Sequence, residues 1–273
     1  MKYRLFVSDY DGTLSKYGGS LDGSQGVDAE TLKAIKEYER RGGVFVVCTG
    51  RMFGNIRSIC EKYDIADVVV SYQGARINER KSGRTLFDAK LDYALSVDVL
   101  RSIEDLPIKP VVLFDDTLYY AENSAYTEAY KNTDAVKLVK TDDLIGKVVR
   151  REIEALKINC VCEGAYLREF TREFGEKYKG KLIVNSGGPN LAEFVNPAAS
   201  KGSAVKFLSE YYGVSYDGII AVGDSTNDIE LISGAWHGVA VGDGREELKA
   251  VADEITVPYA ERPVKALLEK YCL

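Results

Sequence analysis

Histidine is nearly absent from this sequence: among 273 residues the only one is His237. That argues against histidine-based phosphatases and against most zinc hydrolases, which draw ligands from histidine. His237 follows Trp236 between a helical and an extended segment, and the pair reads as structural. No Cys-x-x-Cys motif occurs among the five cysteines, Cys48, Cys60, Cys160, Cys162 and Cys272. A zinc site or a redox dithiol therefore has no support. The number is odd and a chain of this size needs no disulfide staples, so free thiols and a reducing compartment are expected. Cys160 and Cys162 alternate within an apolar stretch and read as core residues on one strand face. No apolar run approaches the roughly 18 residues of a membrane span. Lys2, Arg4, Asp9 and Asp11 interrupt the start, which is unlike a signal peptide. These absences point to a cytoplasmic protein. Basic clusters are missing too: Arg150-Arg151 is followed at once by Glu152 and Glu154, and the net charge is -6 with a pI near 5.2. Nucleic-acid binding is not expected. Neither internal repeats nor low-complexity segments are found.

What remains is an ordinary globular composition, 45% hydrophobic and 29% charged, long enough for two domains. Short apolar runs alternate with helical patterns at both ends of the chain. Tyr3 to Ser8 reads as a buried strand. Asp28 caps a helix running to about Arg41, and Gly42-Gly43 ends it. A strand over Val44 to Cys48, a helix over Phe53 to Tyr63 and a strand over Asp67 to Ser71 follow. The pattern resumes with a helix over Lys201 to Tyr212 and a strand over Tyr216 to Val222. Short elements then run to a last strand at Glu254 to Val257. Strand and helix in alternation predict a doubly wound, Rossmann-like parallel α/β sheet. The middle differs. Val111 to Phe114 and Leu118 to Ala121 flank Asp115-Asp116-Thr117 as a hairpin. A strand at Leu156 to Cys162, a helix at Ala165 to Tyr178 and a strand at Leu182 to Asn185 complete an inserted α+β domain. The predicted division is a core of residues 1–78 and 188–273 with a cap over 79–187, and Gly74 and Gly187-Gly188-Pro189 are candidate hinges.

Ligands of parallel α/β sheets bind beyond the carboxyl ends of the strands. Three such ends here are Asp9-Tyr10-Asp11-Gly12-Thr13, Thr49-Gly50-Arg51 and Gly223-Asp224-Ser225-Thr226-Asn227-Asp228, and Lys201 opens a helix aimed at the same edge. Asp9, Asp11, Asp224 and Asp228 would converge. Four carboxylates need cations beside them or raised pKa values. Lys201 and Arg51 offer two, and a hard divalent ion completes the balance; oxygen-only ligands suit Mg2+. Strand alternation puts Asp9 and Asp11 on one side. One carboxylate can attack phosphorus, and the other can carry protons. Gly12 permits a tight turn, and Thr13 offers a hydroxyl.

Together these segments resemble the four motifs of the haloacid dehalogenase superfamily in its phosphotransferase form. The first is Asp9-Tyr10-Asp11-Gly12-Thr13-Leu14 and the second Thr49-Gly50-Arg51. The third is Lys201 within Asn196-Pro197-Ala198-Ala199-Ser200-Lys201-Gly202, and the fourth Gly223 to Asp228. Order and spacing are similar to the Cof-type sugar-phosphate phosphatases of cap class IIB. The resemblance implies an Mg2+-dependent phosphatase of small phosphorylated metabolites. Asp9 would be nucleophile and metal ligand. Asp11 would be acid/base, with its carbonyl on the metal. Thr13, Thr49, Gly50, Arg51, Lys201 and Asn227 would bind phosphate or substrate, or brace the acidic cluster. Asp224 would ligate the metal directly, and Asp228 would support it. Gln73-Gly74-Ala75 departs from a usual Asn-Gly-Ala, as do Val241-Gly242-Asp243-Gly244 and Arg262-Pro263-Val264 from their counterparts. Two rivals stand beside this reading. One is a phosphomutase or phosphotransferase using the same phospho-aspartate, and the other is a regulatory protein that senses Mg2+ or phosphate without catalysis.

Overall fold

The computed structural model describes residues 1–16, 26–131, 133–162 and 164–273. The chain divides into two compact units, Met1–Phe87 with Ser200–Leu273, and Asp88–Ala199. No helix among the described residues is long and apolar enough to cross a membrane.

The first unit begins with β1 (Leu5–Ser8), α1 (Ala29–Arg40), β2 (Val44–Cys48), α2 (Phe53–Tyr63), β3 (Val68–Ser71), β4 (Arg76–Glu79) and β5 (Thr85–Asp88). All four residues of β1 are buried, which is why it reads as an unbroken apolar run rather than an alternating one. In α1, Asp28 accepts the amides of Glu30 and Thr31 as the N-cap, and Thr31, Ala34, Ile35 and Tyr38 form the buried stripe.

The second unit holds α3 (Tyr93–Ser102), β6 (Lys109–Phe114), β7 (Thr117–Tyr120), α4 (Ala125–Ala129), β8 (Lys137–Lys140), α5 (Leu144–Val149), β9 (Lys157–Val161), α6 (Gly164–Lys177), β10 (Ile183–Gly188) and β11 (Leu191–Val195). The chain then returns to the first unit through α7 (Lys201–Tyr212), β12 (Ile219–Gly223), α8 (Ile229–Ile232), β13 (His237–Ala240), α9 (Glu246–Lys249), β14 (Glu254–Ile255) and α10 (Pro263–Tyr271).

The first sheet runs in the order β14-β13-β12-β1-β2-β3-β4-β5. Its strands are parallel from β14 to β3, and β4 turns back antiparallel to β3. Two apolar clusters cover its faces. Phe6, Val47 and Val222 pack with Ile35, Ile56 and Leu267 on one side. Leu5, Val46 and Ala221 pack with Ala204, Leu208 and Leu231 on the other. Helices on both faces are the predicted double winding. The strand order reverses between β1 and β12, so that is where a ligand crevice belongs.

The second unit's sheet runs β10-β11-β9-β6-β7-β8, antiparallel except for β7 with β8. Val99, Val148, Phe170 and Phe174 from α3, α5 and α6 pack on Ile158, Cys160 and Phe194 from one face of that sheet. All five cysteines are free and buried.

The unit boundaries differ from those drawn on sequence. Residue 78 lies inside β4, which the ladder to β3 ties into the first sheet. Residue 188 ends β10, which pairs with β11 in the second. Gly74 serves close packing, since a Cβ there would come within 2.2 Å of the Ser200 carbonyl oxygen. Gly187 and Gly188 shape the β10–β11 hairpin, where the register shifts. The strand expected from Tyr216 starts at Ile219, because Tyr216–Gly218 form a single 3₁₀ turn.

Candidate active site

Asp9 follows the last residue of β1, and its amide continues the ladder to Val222 O at 2.9 Å. Asp224 follows β12, the neighbouring strand across the reversal. Adjacent parallel strands thus deliver two carboxylates to one spot. Asp228 arrives on the turn after β12 and is fully buried. Ligand atoms of Asp9, Asp224 and Asp228 all lie within 4.8 Å of one another.

Lys201 is the first residue of α7, behind the N-cap Ser200 and its capping box with Ser203. A cation in a first turn opposes the helix dipole. Two carboxylates outweigh that cost: Nζ donates to Asp9 Oδ1 at 2.5 Å and to Asp228 Oδ1 at 2.6 Å. The lysine side chain is 1% exposed. The other Asp228 oxygen accepts the Asp224 and Ser225 amides, both at 3.1 Å. Asp228 is therefore a brace that fixes the Asp224 loop and Lys201 together. Thr13 donates its hydroxyl to Asp224 Oδ1 at 3.0 Å.

The charges explain the electrostatics. Burial, then repulsion from Asp228, holds the Asp9 pKa well above the usual carboxylate range, against the pull of Lys201. The same two causes push Asp224 up to about 6. Burial works to lower Lys201, but Asp228 and Asp9 override it and raise its pKa above the ordinary lysine value. Three carboxylates against one ammonium leave two formal negative charges in a buried site. A divalent cation with oxygen ligands fits both the donor set and the deficit. The backbone makes room for this packing. Gly12 has φ +89, and a Cβ there would sit 2.4 Å from Asp224 Oδ2.

A second group lies beside the first. Arg51 clamps the Asp11 carboxylate through Nε at 2.8 Å and Nη2 at 2.6 Å, a fork on both oxygens. Its Nη1 donates to Asn55 Oδ1 at 3.0 Å, and its guanidinium lies 4.8 Å from the Tyr10 ring centre. Thr49 is 1% exposed, and its hydroxyl accepts the Arg51 amide at 3.2 Å. The Asp11 side chain is thus committed to Arg51 and stands outside the three-carboxylate group; the metal contact expected of Asp11 concerns its main-chain carbonyl. Asn227, at the exposed edge, donates to Gln73 Oε1 at 3.3 Å. Gly50 leaves space for that glutamine, since a Cβ would lie 2.5 Å from Gln73 Nε2.

Sequence reasoning did not single out Gln73, Asn55 or Tyr10 for a part in the site. Gln73 sits at φ 61 between Tyr72 at φ 52 and Gly74 at φ 99, three left-handed residues in a row. Departure from Asn at this position was the available signal, since Asn tolerates that conformation better than Gln. Asn55 lies in the first turn of α2, and the bend at Arg51 just before the Met52 N-cap brings the guanidinium onto it. His237 lies in β13, where Nε2 meets Glu254 Oε2 at 3.1 Å and the ring stacks on Tyr3. Trp236 is buried, with its indole N–H on Leu231 O at 2.7 Å. Both take structural places.

Comparison with known proteins adds an independent line. The sequence matches the haloacid dehalogenase-like hydrolase family over residues 6–268. A 5-amino-6-(5-phospho-D-ribitylamino)uracil phosphatase of Bacillus subtilis is 27% identical, over 99% of this chain and 96% of its own. A haloacid dehalogenase-like hydrolase from Bacteroides thetaiotaomicron superposes with a TM-score of 0.82 at 22% identity, covering 98% of this chain and 99% of its own. A sugar phosphatase of haloacid dehalogenase subclass IIB superposes with a TM-score of 0.77 at 16% identity, covering 98% of each chain.

Proposed function

The chain belongs to the haloacid dehalogenase-like hydrolase family, and from that premise we propose an Mg2+-dependent phosphatase of small sugar phosphates that works through a phosphorylated Asp9. The observation that carries the proposal is the buried ammonium of Lys201 held between Asp9 and Asp228, with Asp224 in reach of both carboxylates. Such a site suits a dianionic phosphoryl group only if further positive charge is added. Mg2+ held by Asp9 and Asp224, with the Asp11 carbonyl, would supply it as a Lewis acid on the phosphoryl oxygens.

The residues then divide the work. An oxygen of Asp9 attacks phosphorus, and the bond from phosphorus to the ester oxygen breaks. Asp11, once off the Arg51 fork and protonated from solvent, gives that proton to the leaving alkoxide. Water next attacks the phosphorus, Asp11 takes the water proton, and the bond to Asp9 breaks to release phosphate. Lys201 orients Asp9 and offsets the charge of the transferring group. Thr49 and Asn227 hold the phosphoryl group, and Thr13 keeps Asp224 in place. Arg51 holds Asp11 by its fork between turnovers and stands ready to contact substrate. Gly50 leaves the space that Gln73 occupies. The second unit, residues 88–199, selects the leaving group.

Two relatives support the substrate class. One is named for a phosphoribityl compound and one is called a sugar phosphatase, and both names describe a phosphate on a polyhydroxylated carbon chain. Phosphate release from a panel of sugar phosphates, nucleotides and p-nitrophenyl phosphate, with Mg2+ or with EDTA, tests the proposal. Release that requires Mg2+ and favours sugar phosphates supports it. Release undiminished by EDTA, or transfer of the phosphoryl group to a second sugar without free phosphate, contradicts it.

A further inference from the structure

The turn Tyr72–Gly74 joins β3 to β4. Its three residues all stand in the left-handed region, at φ 52, 61 and 99. Glycine takes that conformation freely, whereas tyrosine and glutamine are rare in it. Backbone strain of this kind persists only where the surroundings hold it, and it gathers at functional sites.

The contacts of the turn give its position a meaning. Tyr72 is buried, and its amide donates to Arg51 O at 2.9 Å. The Gln73 amide donates to Thr49 O at 3.0 Å. On another side Gly74 packs against the start of α7, where a Cβ would come within 2.2 Å of Ser200 O and 3.1 Å of the Lys201 amide nitrogen. The Gln73 side chain passes Gly50, whose Cβ would lie 2.9 Å from Cδ and 2.5 Å from Nε2, and its Oε1 accepts Asn227 Nδ2 at 3.3 Å. Three of the four segments that carry the site residues therefore meet on this turn: the loop after β2, the start of α7 and the turn after β12.

Asn227 is exposed, whereas Gln73 is half-buried and fixed through its backbone. An exposed side chain samples its rotamers unless a partner restrains it. The Asn227 amide carries two N–H donors. One on Gln73 fixes the direction of the other. Side-chain length matters as well. Asparagine tolerates the left-handed region better than glutamine, but its amide would stop one carbon–carbon bond short, about 1.5 Å. Glutamine spans the distance to Asn227 with more backbone strain.

We propose that Gln73 is a positioning residue of the phosphate site, whose side chain, carried past Gly50, holds Asn227 in place for the phosphoryl group. The proposal rests on the phosphatase reading and adds a residue to it.

Calorimetric titration of the full chain with inorganic phosphate in saturating Mg2+, beside kcat/KM for a sugar phosphate, tests the proposal. Gln73→Met keeps the length of the side chain and removes the acceptor; it should lower phosphate affinity and kcat/KM about fivefold. Asn227→Ala should lower both about tenfold or more. Since Gln73 acts through Asn227, the double variant should stay within about twofold of Asn227→Ala alone. Gln73→Asn should also lose about fivefold, yet unfold at the same urea concentration as the wild type or a higher one, because it relaxes the turn. A merely structural role would move stability and activity together. Losses that multiply in the double variant overturn the proposal. So does either single variant, folded, within about twofold of the wild type in both measurements, or a Gln73→Asn loss that tracks a loss of stability. A wild type that binds phosphate but releases none from any ester contradicts the phosphatase reading, and phosphate affinity alone then decides the Gln73 coupling. Absence of phosphate binding by the wild type overturns both.

Discussion

Replacing Lys201 with methionine keeps the shape of the side chain and removes the charge that joins Asp9 to Asp228. The consequence follows from burial. Lys201 is 1% exposed and Asp228 0% by side chain, so water cannot take the place of the ammonium. Removing one partner of a buried ion pair costs about 3–5 kcal/mol, chiefly the penalty of the charge left behind. Asp228 keeps its two amide donors, which places the expected loss in that range rather than above it. The loss should depend on pH. Asp9 has a pKa raised above its unfolded value, so its ionised form weighs against the folded state above that pKa. As pH falls through it, the folded state takes up the proton and stability returns. The deficit of Lys201→Met is then largest above the raised pKa of Asp9 without metal, and shrinks as pH falls through it by up to about 1.4 kcal/mol per pH unit for each proton taken up. Urea unfolding followed by tryptophan fluorescence is the assay, because Trp236 is the chain's single tryptophan and lies buried in the first unit. A deficit under about 1 kcal/mol above that pKa, or one that does not narrow on acidification, would refute the reasoning.

Other consequences are as direct. Gly12→Ala, with its Cβ driven against Asp224 at a φ of +89, should cost about 1–3 kcal/mol of stability and lower turnover about a hundredfold or more; Mg2+ titration and steady-state rates check it. Mg2+ must displace the protons that Asp224, at about 6, and Asp9 hold in the metal-free site. Calorimetry should therefore find Mg2+ affinity falling as pH drops through about 6, by about tenfold per pH unit for each proton displaced. In the second unit, Glu193→Ala leaves Lys157 buried without the carboxylate now 2.6 Å away; that should cost about 3–5 kcal/mol, read as faster amide exchange in β9 and β11.

Much of the first unit was legible because its signals are local. The strand Val44–Cys48 and the helices Phe53–Tyr63 and Lys201–Tyr212 run between the residues expected, since each pairs an apolar pattern with a clear stop. Ends of parallel strands also told where Asp9, Asp224 and Asp228 would meet, but not that the Asp11 carboxylate would turn aside to Arg51. Pairing across distance was harder to read. β4 and β5 are short, and β5 is only partly buried, so neither carries a strong apolar run. They extend the sheet through hydrogen bonds that no periodicity announces, and the unit boundary drawn at residue 78 missed them. β11 escaped notice because it is short and Glu193 interrupts its apolar pattern; Glu193 is buried only because Lys157 on β9 neutralises it. The partner of Arg51 was open in the same way. Its charge and position were plain, but the fork onto Asp11 depends on Asn55 and Tyr10 holding the guanidinium.

The central claim is that phosphate leaves its ester by way of Asp9. Rapid acid quench during turnover of a phosphorus-labelled sugar phosphate with Mg2+, followed by peptide mapping, tests it most directly. The account expects label on the peptide that contains Asp9, none in EDTA, and neither label nor phosphate release in a folded Asp9→Asn variant. Full Mg2+-dependent release by Asp9→Asn, or label recovered on a peptide without Asp9, would contradict it.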